Sequence, residues 1–231
     1  MPHANTKTSY SVYNPSVQNK TQHNNLTHTY PNLPNKKYEI IYADPPWDYN
    51  NKLQFDNSAK AKYNPRWNKN IFTSAAKFKY PTLKLHQLKQ LNISSISSTN
   101  CLLFLWSTNP HLAQAIELGM SWGFEYKTIA FVWNKMMHNP GQYTLSYCEV
   151  CLLFKKGKIP TPRGARNIKQ LIEKPRTTHS KKPSEIAEYI TQMFPQANRI
   201  ELFARPPQKA TKFIFNKPHR NWDVWGLDML I

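Results

Sequence analysis

Residues 44–47 read Asp44-Pro45-Pro46-Trp47: an ionisable carboxylate, two residues without backbone N–H groups and a flat aromatic side chain. The prolines fix a rigid turn whose carbonyls remain open acceptors. An exocyclic amine on a planar base has two N–H donors to offer. If Asp44 and the Pro45 carbonyl accept both, the nitrogen lone pair turns out of conjugation with the ring and faces an incoming electrophile. Pro46 completes the rigid turn, and Trp47 stacked on the base would contribute about 1–3 kcal/mol without reading sequence. Taken alone, the same tetrapeptide also fits an ordinary turn with the aspartate as a helix cap.

The elements around it decide between these readings. Residues 38–43 form a short apolar strand that the two prolines terminate. Residues 48–80 have no apolar period and read as a long loop, a length that usually carries function or disorder. Thr82 is expected to cap a helix bearing Leu85, Leu88 and Leu91. Residues 101–106 are an unbroken apolar run of strand length. Asn109-Pro110 suits a helix start, with Leu112, Ala115, Ile116 and Met120 on one face and Gly123 as the stop. Residues 127–133 and 148–154 read as further buried strands. Pro183 opens a helix with Ile186, Tyr189, Ile190, Met193 and Phe194 in helical register, and residues 199–203 form a last strand. Apolar strands alternating with amphipathic helices imply an α/β fold, a mostly parallel sheet with helices on both faces. Ligands in such sheets bind beyond the carboxyl ends of the strands. Two segments meet that condition: 44–47, and 204–208 after the last strand.

Composition narrows the chemistry. The chain has 231 residues, 40% hydrophobic and 13% aromatic, enough apolar surface for a core. Only 6 glycines are present, and neither common glycine-rich nucleotide loop occurs. The net charge of +18 is uneven: residues 1–37 carry +4, 38–100 carry +5, 101–150 carry −1 and 151–231 carry +10. Residues 155–182 hold ten Lys or Arg against Glu173 alone. Such a run is a candidate phosphate-binding surface, with Lys155, Lys156, Arg163, Arg166, Lys181 and Lys182 as its contacts. Residues 1–37, polar and without period, read as a flexible basic tail, and 38–231 as the single folded domain. Cys101, Cys148 and Cys151 supply no zinc-binding pattern and read as buried thiols, so no metal is expected. No apolar run approaches membrane length, and no apolar signal core begins the chain, so an intracellular, cytoplasmic protein without a membrane partner is expected.

The motifs in order are more specific than any one of them. Residues 43–47 (Ala-Asp-Pro-Pro-Trp), 80–82 (Tyr-Pro-Thr), 103–106 (Leu-Phe-Leu-Trp), 133–135 (Trp-Asn-Lys), the Arg176 to Pro183 segment, 200–206 (Ile-Glu-Leu-Phe-Ala-Arg-Pro) and 221–226 (Asn-Trp-Asp-Val-Trp-Gly) together resemble the MT-A70 family of N(6)-adenine methyltransferases over residues 38–231. The resemblance implies a Rossmann-like class I methyltransferase fold that uses S-adenosylmethionine, with the catalytic motif ahead of the cofactor segment. It places Asp44, Lys135, Phe203, Arg205, Pro206, Pro207, Gln208, Leu227 and Asp228 at cofactor-contacting positions, and Tyr80 on a gating loop beside the base pocket. Three departures from the family pattern are Pro207-Gln208, where an Asn or His is frequent, Leu227-Asp228, where an amide-bearing pair is frequent, and the lack of a clear counterpart to the acidic segment that precedes the first strand and helps hold the adenosine. DNA is the expected substrate on compactness and the lack of a zinc-finger module. An RNA methyltransferase and a catalytically silent nucleic-acid-binding subunit are the alternatives, and a homo- or heterodimer with another methyltransferase-like chain is compatible with either. The intact Asp44-Pro45-Pro46-Trp47 disfavours the silent subunit.

Overall fold

The structure, a computed structural model, describes residues 30–48, 82–139, 143–176, 181–204 and 221–226. Strand β1 (Tyr38–Ala43) runs into the Asp-Pro-Pro-Trp turn, followed by a short helix α1 (Leu85–Lys89) and β2 (Ser97–Ser107). Helix α2 (Leu112–Ser121) leads to a long hairpin of β3 (Glu125–Asn139) and β4 (Ser146–Lys156). The short β5 (Leu171–Glu173), helix α3 (Glu185–Met193), β6 (Arg199–Leu202) and β7 (Trp222–Trp225) complete the described elements.

The strands form one sheet in the order β5-β3-β4-β2-β1-β6-β7. β1 pairs in parallel with both β2 and β6, β6 with β7 and β3 with β5, whereas β4 runs antiparallel to both its neighbours. The expected mostly parallel α/β sheet is therefore present, with one reversed strand supplied by the hairpin. Alternation along the central strands separates two cores. Ile41, Leu103, Leu105 and Leu202 face α1 and α2, where Leu88, Ala115, Leu118 and Trp122 pack. Ile40, Tyr42, Phe104, Trp106 and Trp133 face α3 and its Ile186, Ala187 and Ile190. Helices thus cover both faces, as expected.

Several local expectations need correction. Thr82 does not cap α1: the cap position is Lys84, and the Thr82 hydroxyl donates to Asp48 Oδ1 at 3.3 Å. Asn109 does not cap α2 either. Residues Asn109–His111 form a single 3₁₀ turn, and α2 starts after it. That tighter turn shifts the helical phase, so Leu112 and Met120 are exposed and the buried stripe runs through His111, Ala115, Leu118 and Trp122. Gly123 ends the helix as expected, at φ +87°. Pro183 precedes α3 by two residues, Ser184 being the N-cap, and Ile186, Ile190 and Phe194 are buried as the pattern requires. Cys101 and Cys151 are buried, but Cys148 is only half-buried.

Packing also reaches back past the expected tail boundary. Tyr30 is buried, stacking on Trp225 at 5.1 Å between ring centres and meeting Phe203 edge-on at 5.8 Å. The Trp225 indole donates to the Pro31 carbonyl at 3.0 Å, and Lys36 pairs with Asp223 at 2.7 Å. Residues 30–37 therefore belong to the folded unit; residues 1–29 of the expected tail, and the expected loop at 49–80, lie outside the described residues. Among the described residues no helix is long and apolar enough to cross a membrane.

Candidate active site

All parallel strands end on the same side of the sheet, and the chain leaves β1 toward β2 but leaves β6 toward β7. The divergence makes the crevice between β1 and β6 the topological switch point, where ligands of open α/β sheets bind. Asp44 stands at the end of β1 on this crevice, opposite Phe203 and Ala204 at the end of β6. The backbones of β6 and β7 close tightly behind it. Ala204 N–H donates to the Trp225 carbonyl at 3.0 Å, and a Cβ on Gly226 would lie 2.0 Å from the Ala204 oxygen, so only glycine fits there.

On the α3 face of the sheet, Asp44 enters a chain of alternating charges. Lys182 Nζ lies 2.8 Å from Asp44 Oδ1 and 3.3 Å from Glu149 Oε2, and Lys135 Nζ lies 3.4 Å from Glu149 Oε1. Side-chain exposures fall from 21% at Asp44 to 10% at Lys182, 15% at Glu149 and 2% at Lys135, so the network runs from the crevice into the protein. Strand register explains the meeting: Glu149 pairs with Trp133 of β3, two residues from Lys135, and Val150 pairs with Ser107 at the end of β2. Burial acts to depress the Lys182 ammonium, but Asp44 and Glu149 outweigh it and raise its pKa. Burial acts to raise the Glu149 carboxyl, but Lys182 and Lys135 outweigh that and bring it below the usual carboxylate range. The network is roofed by aromatics. Lys182 Nζ sits 5.4 Å from the Trp106 ring centre, and the Trp106 indole donates to Tyr42 Oη at 2.8 Å.

Glu201, which pairs with Tyr42 across β1 and β6, is pushed up to about 7 by burial and by the charge of Asp44, with Lys181 opposing. An acid whose pKa is higher folded than unfolded binds more proton in the folded state, so stability declines as pH rises from about 4.5 to about 7. The span corresponds to a loss on the order of 3 kcal/mol. Glu201→Gln should remove that slope, leaving the thermal midpoint nearly flat between about pH 5 and 8 relative to the parent. A parent midpoint already flat over this interval would refute the assignment.

Trp47 is placed differently from the expectation. It is 5% exposed, its indole donates to the Trp106 carbonyl at 3.2 Å, and its ring stacks on His111 at 5.4 Å between centres. A side chain so enclosed is a wall of the site and not an open plate for a base. His111 is itself fixed through Nδ1 to the Thr108 hydroxyl at 2.9 Å, and burial lowers its pKa, keeping the ring neutral at pH 7. The turn is tied down further by Pro46 O accepting from Leu83 N–H at 2.8 Å and by the Pro45 carbonyl accepting from Trp47 N–H at 2.9 Å. Among the described residues Pro45 O meets no second donor, so one lone pair remains for a ligand.

The structure divides the remaining expected residues. Lys182 is in the site, as an ion-pair partner of Asp44. Lys181 is exposed beside it. Lys155 and Lys156 are at the other end of the sheet, paired in register with Leu102 and Cys101, and Lys156 donates to Ser97 Oγ at 2.8 Å. From Val150 to Lys156 the strand spans roughly 20 Å. Arg163 lies over the Phe194 ring at 5.4 Å, at that same far end, and Arg166 is exposed on the segment that follows. The four far-end cations do not line the Asp44 crevice. Tyr80, Arg205, Pro206, Pro207, Gln208, Leu227 and Asp228 lie outside the described residues. Glu149, His111 and Glu201 are the site's contributors that the sequence reading missed. A lone Glu amid an apolar strand was the available signal for Glu149, since a carboxylate is buried there only when paired. Among the described residues no cluster of His, Cys, Asp or Glu is arranged to hold a metal.

A family model described as MT-A70 matches residues 38–227. The chain belongs to the MT-A70 family. Its fold is accordingly the class I methyltransferase fold, and it is a methyltransferase. This MT-A70 chain is 52% identical over 225 residues to Type II methyltransferase M.MunI of Mycoplasma sp, covering 97% of this chain and 92% of that protein. It is 27% identical over 182 residues to the N(6)-adenosine-methyltransferase MT-A70-like protein of Arabidopsis thaliana, covering 73% of this chain and 22% of that protein. A protein from Medicago truncatula named a putative N(6)-adenosine-methyltransferase MT-A70-like is 28% identical over 184 residues. The MT-A70 match thus spans about four-fifths of this chain, whereas the alignment spans 22% of the Arabidopsis protein.

Proposed function

We propose that the chain transfers a methyl group from S-adenosylmethionine to the exocyclic amine of adenine in DNA. The observation that carries this reading is Asp44 at the β1–β6 switch point, one carboxylate oxygen bound by Lys182 and the rigid Pro45 carbonyl beside it. The cofactor fits the crevice on electrostatic grounds. Burial first and the Asp44 charge second raise the neighbouring Glu201 carboxyl, so the crevice disfavours a further negative charge and suits a sulfonium cation beside Asp44. Asp44, Phe203 and, outside the described residues, Arg205, Pro206, Pro207, Gln208, Leu227 and Asp228 would hold it. Bound, it supplies an electrophilic methyl group.

The chain's own part is orientation. Asp44 and the Pro45 carbonyl accept hydrogen bonds from the two amine N–H groups, directing the nitrogen lone pair outward, and holding the reactants in line supplies much of the acceleration. The amine needs no deprotonation before attack; the proton released afterwards goes to Asp44 or water. In duplex DNA the target base must first leave the stack, at a few kcal/mol. Lys181 and the basic segment 155–182 supply charge for the phosphate backbone, away from the crevice for Lys155, Lys156, Arg163 and Arg166.

DNA is preferred because the relative matched along nearly its whole length carries the Type II name, the nomenclature of DNA-modification enzymes. Mass spectrometry of nucleosides after incubating DNA and RNA separately with protein and cofactor tests the proposal. N(6)-methyladenine in DNA is the expected product. Methylation of RNA alone would replace the substrate, and methylation of neither would overturn the enzyme reading.

A further inference from the structure

The charge chain behind Asp44 has a polarity that the transfer reaction can use. Asp44 has two oxygens. One is bound by Lys182 at 2.8 Å; the other has no partner among the described residues and is left for the amine. The same ammonium is 3.3 Å from Glu149, and Glu149 is in turn anchored by Lys135, whose side chain is 2% exposed. Two cations and two carboxylates balance, and Lys182, shared between Asp44 and Glu149, is held from collapsing fully onto either. The Trp106 ring under the Lys182 ammonium, itself pinned to Tyr42, limits sideways movement.

We infer that Glu149 is a positioning residue: it gives Lys182 a second seat, so that Lys182 holds a single oxygen of Asp44 and leaves the other directed at the substrate amine. The inference rests on the transfer reaction proposed above. Without Glu149, Lys135 loses its carboxylate and Lys182 keeps Asp44 as its one remaining carboxylate among the described residues. Lys182 then turns wholly to Asp44, drawing on the lone pairs that the amine requires. A carboxylate displaced by about an ångström costs on the order of 100-fold in rate. Substrate held by phosphate contacts elsewhere is affected far less. The signature is therefore a fall in kcat with little change in the KM for DNA.

The experiment compares the parent, Glu149→Gln and the double variant Glu149→Gln with Lys135→Gln, by steady-state methyl transfer and thermal unfolding. Glu149→Gln is expected to lose about 100-fold in kcat, with the KM for DNA within about twofold, and to unfold at lower temperature because Lys135 is left unpaired. The double variant removes that stranded charge, so its thermal midpoint should recover while kcat stays low. Recovery of kcat together with the midpoint would overturn the inference, since Glu149 would then serve folding alone. A kcat for Glu149→Gln within threefold of an active parent would overturn it too. A parent that transfers no methyl to DNA or RNA overturns the proposed reaction, and the inference falls with it.

Discussion

Asp44→Ala should reduce methyl transfer by at least about 10³-fold while leaving the dissociation constant for DNA within about twofold. Asp44 is the charged group of the turn that reaches the crevice, and the acceptors it contributes are needed only when the amine is aligned for attack. Losing an interaction realised only at that stage lowers kcat and not substrate affinity. The substitution also unbalances the network behind it, leaving Lys182 and Lys135 to share Glu149. Asp44→Asn separates the two contributions. It keeps one acceptor oxygen, so it should retain more activity than Asp44→Ala, yet it removes the charge that holds Lys182. Single-turnover transfer and fluorescence anisotropy with a labelled duplex give the two quantities independently. Turnover of Asp44→Ala within tenfold of the parent would refute the assigned role, and a matching loss of DNA affinity would make Asp44 a binding residue.

The residues that act at the ends of strands were legible because strand ends are legible. An apolar run stopped by two prolines places Asp44 beyond a carboxyl edge before any coordinates exist, and the residues 199–203 run does the same for Phe203. What could not be read was which distant segments share a face. In sequence Lys182 groups with Lys155 and Arg163 as one basic stretch, yet the β4 hairpin and α3 carry the members of that stretch to opposite ends of the sheet. Sequence adjacency sums their charges; register separates them. The antiparallel β4 also explains why Glu149 escaped notice. Its strand enters the sheet in reverse, so the beginning of β4, not its end, lies beside the end of β2. His111 was hidden for a different reason. A helical apolar pattern omits a histidine, although His111 begins the buried stripe of α2 and its 3₁₀ turn sets the phase of the rest.

Trp47 separates an open stacking role from a structural one, and the two make opposite predictions for one substitution. A base-stacking tryptophan removed to alanine would weaken nucleic-acid binding by about 1–3 kcal/mol with the fold untouched. A tryptophan that is 5% exposed, with its indole bound to the Trp106 carbonyl and its ring on His111, should instead cost about 3–5 kcal/mol of stability when truncated. In a domain of this size that lowers the thermal midpoint by about 6–20 °C. Trp47→Phe keeps most of the apolar volume but removes the indole donor, leaving the Trp106 carbonyl to lose one partner. Its expected cost is about 1–2 kcal/mol, small enough for the variant to remain folded and assayable. Folded Trp47→Phe should therefore bind DNA like the parent but transfer methyl more slowly, because the turn that carries Asp44 is held by this ring. Differential scanning calorimetry alongside binding isotherms distinguishes the cases. A Trp47→Ala protein with an unchanged midpoint and weakened DNA binding would restore the ring to the base, and would require the turn to open before substrate can enter.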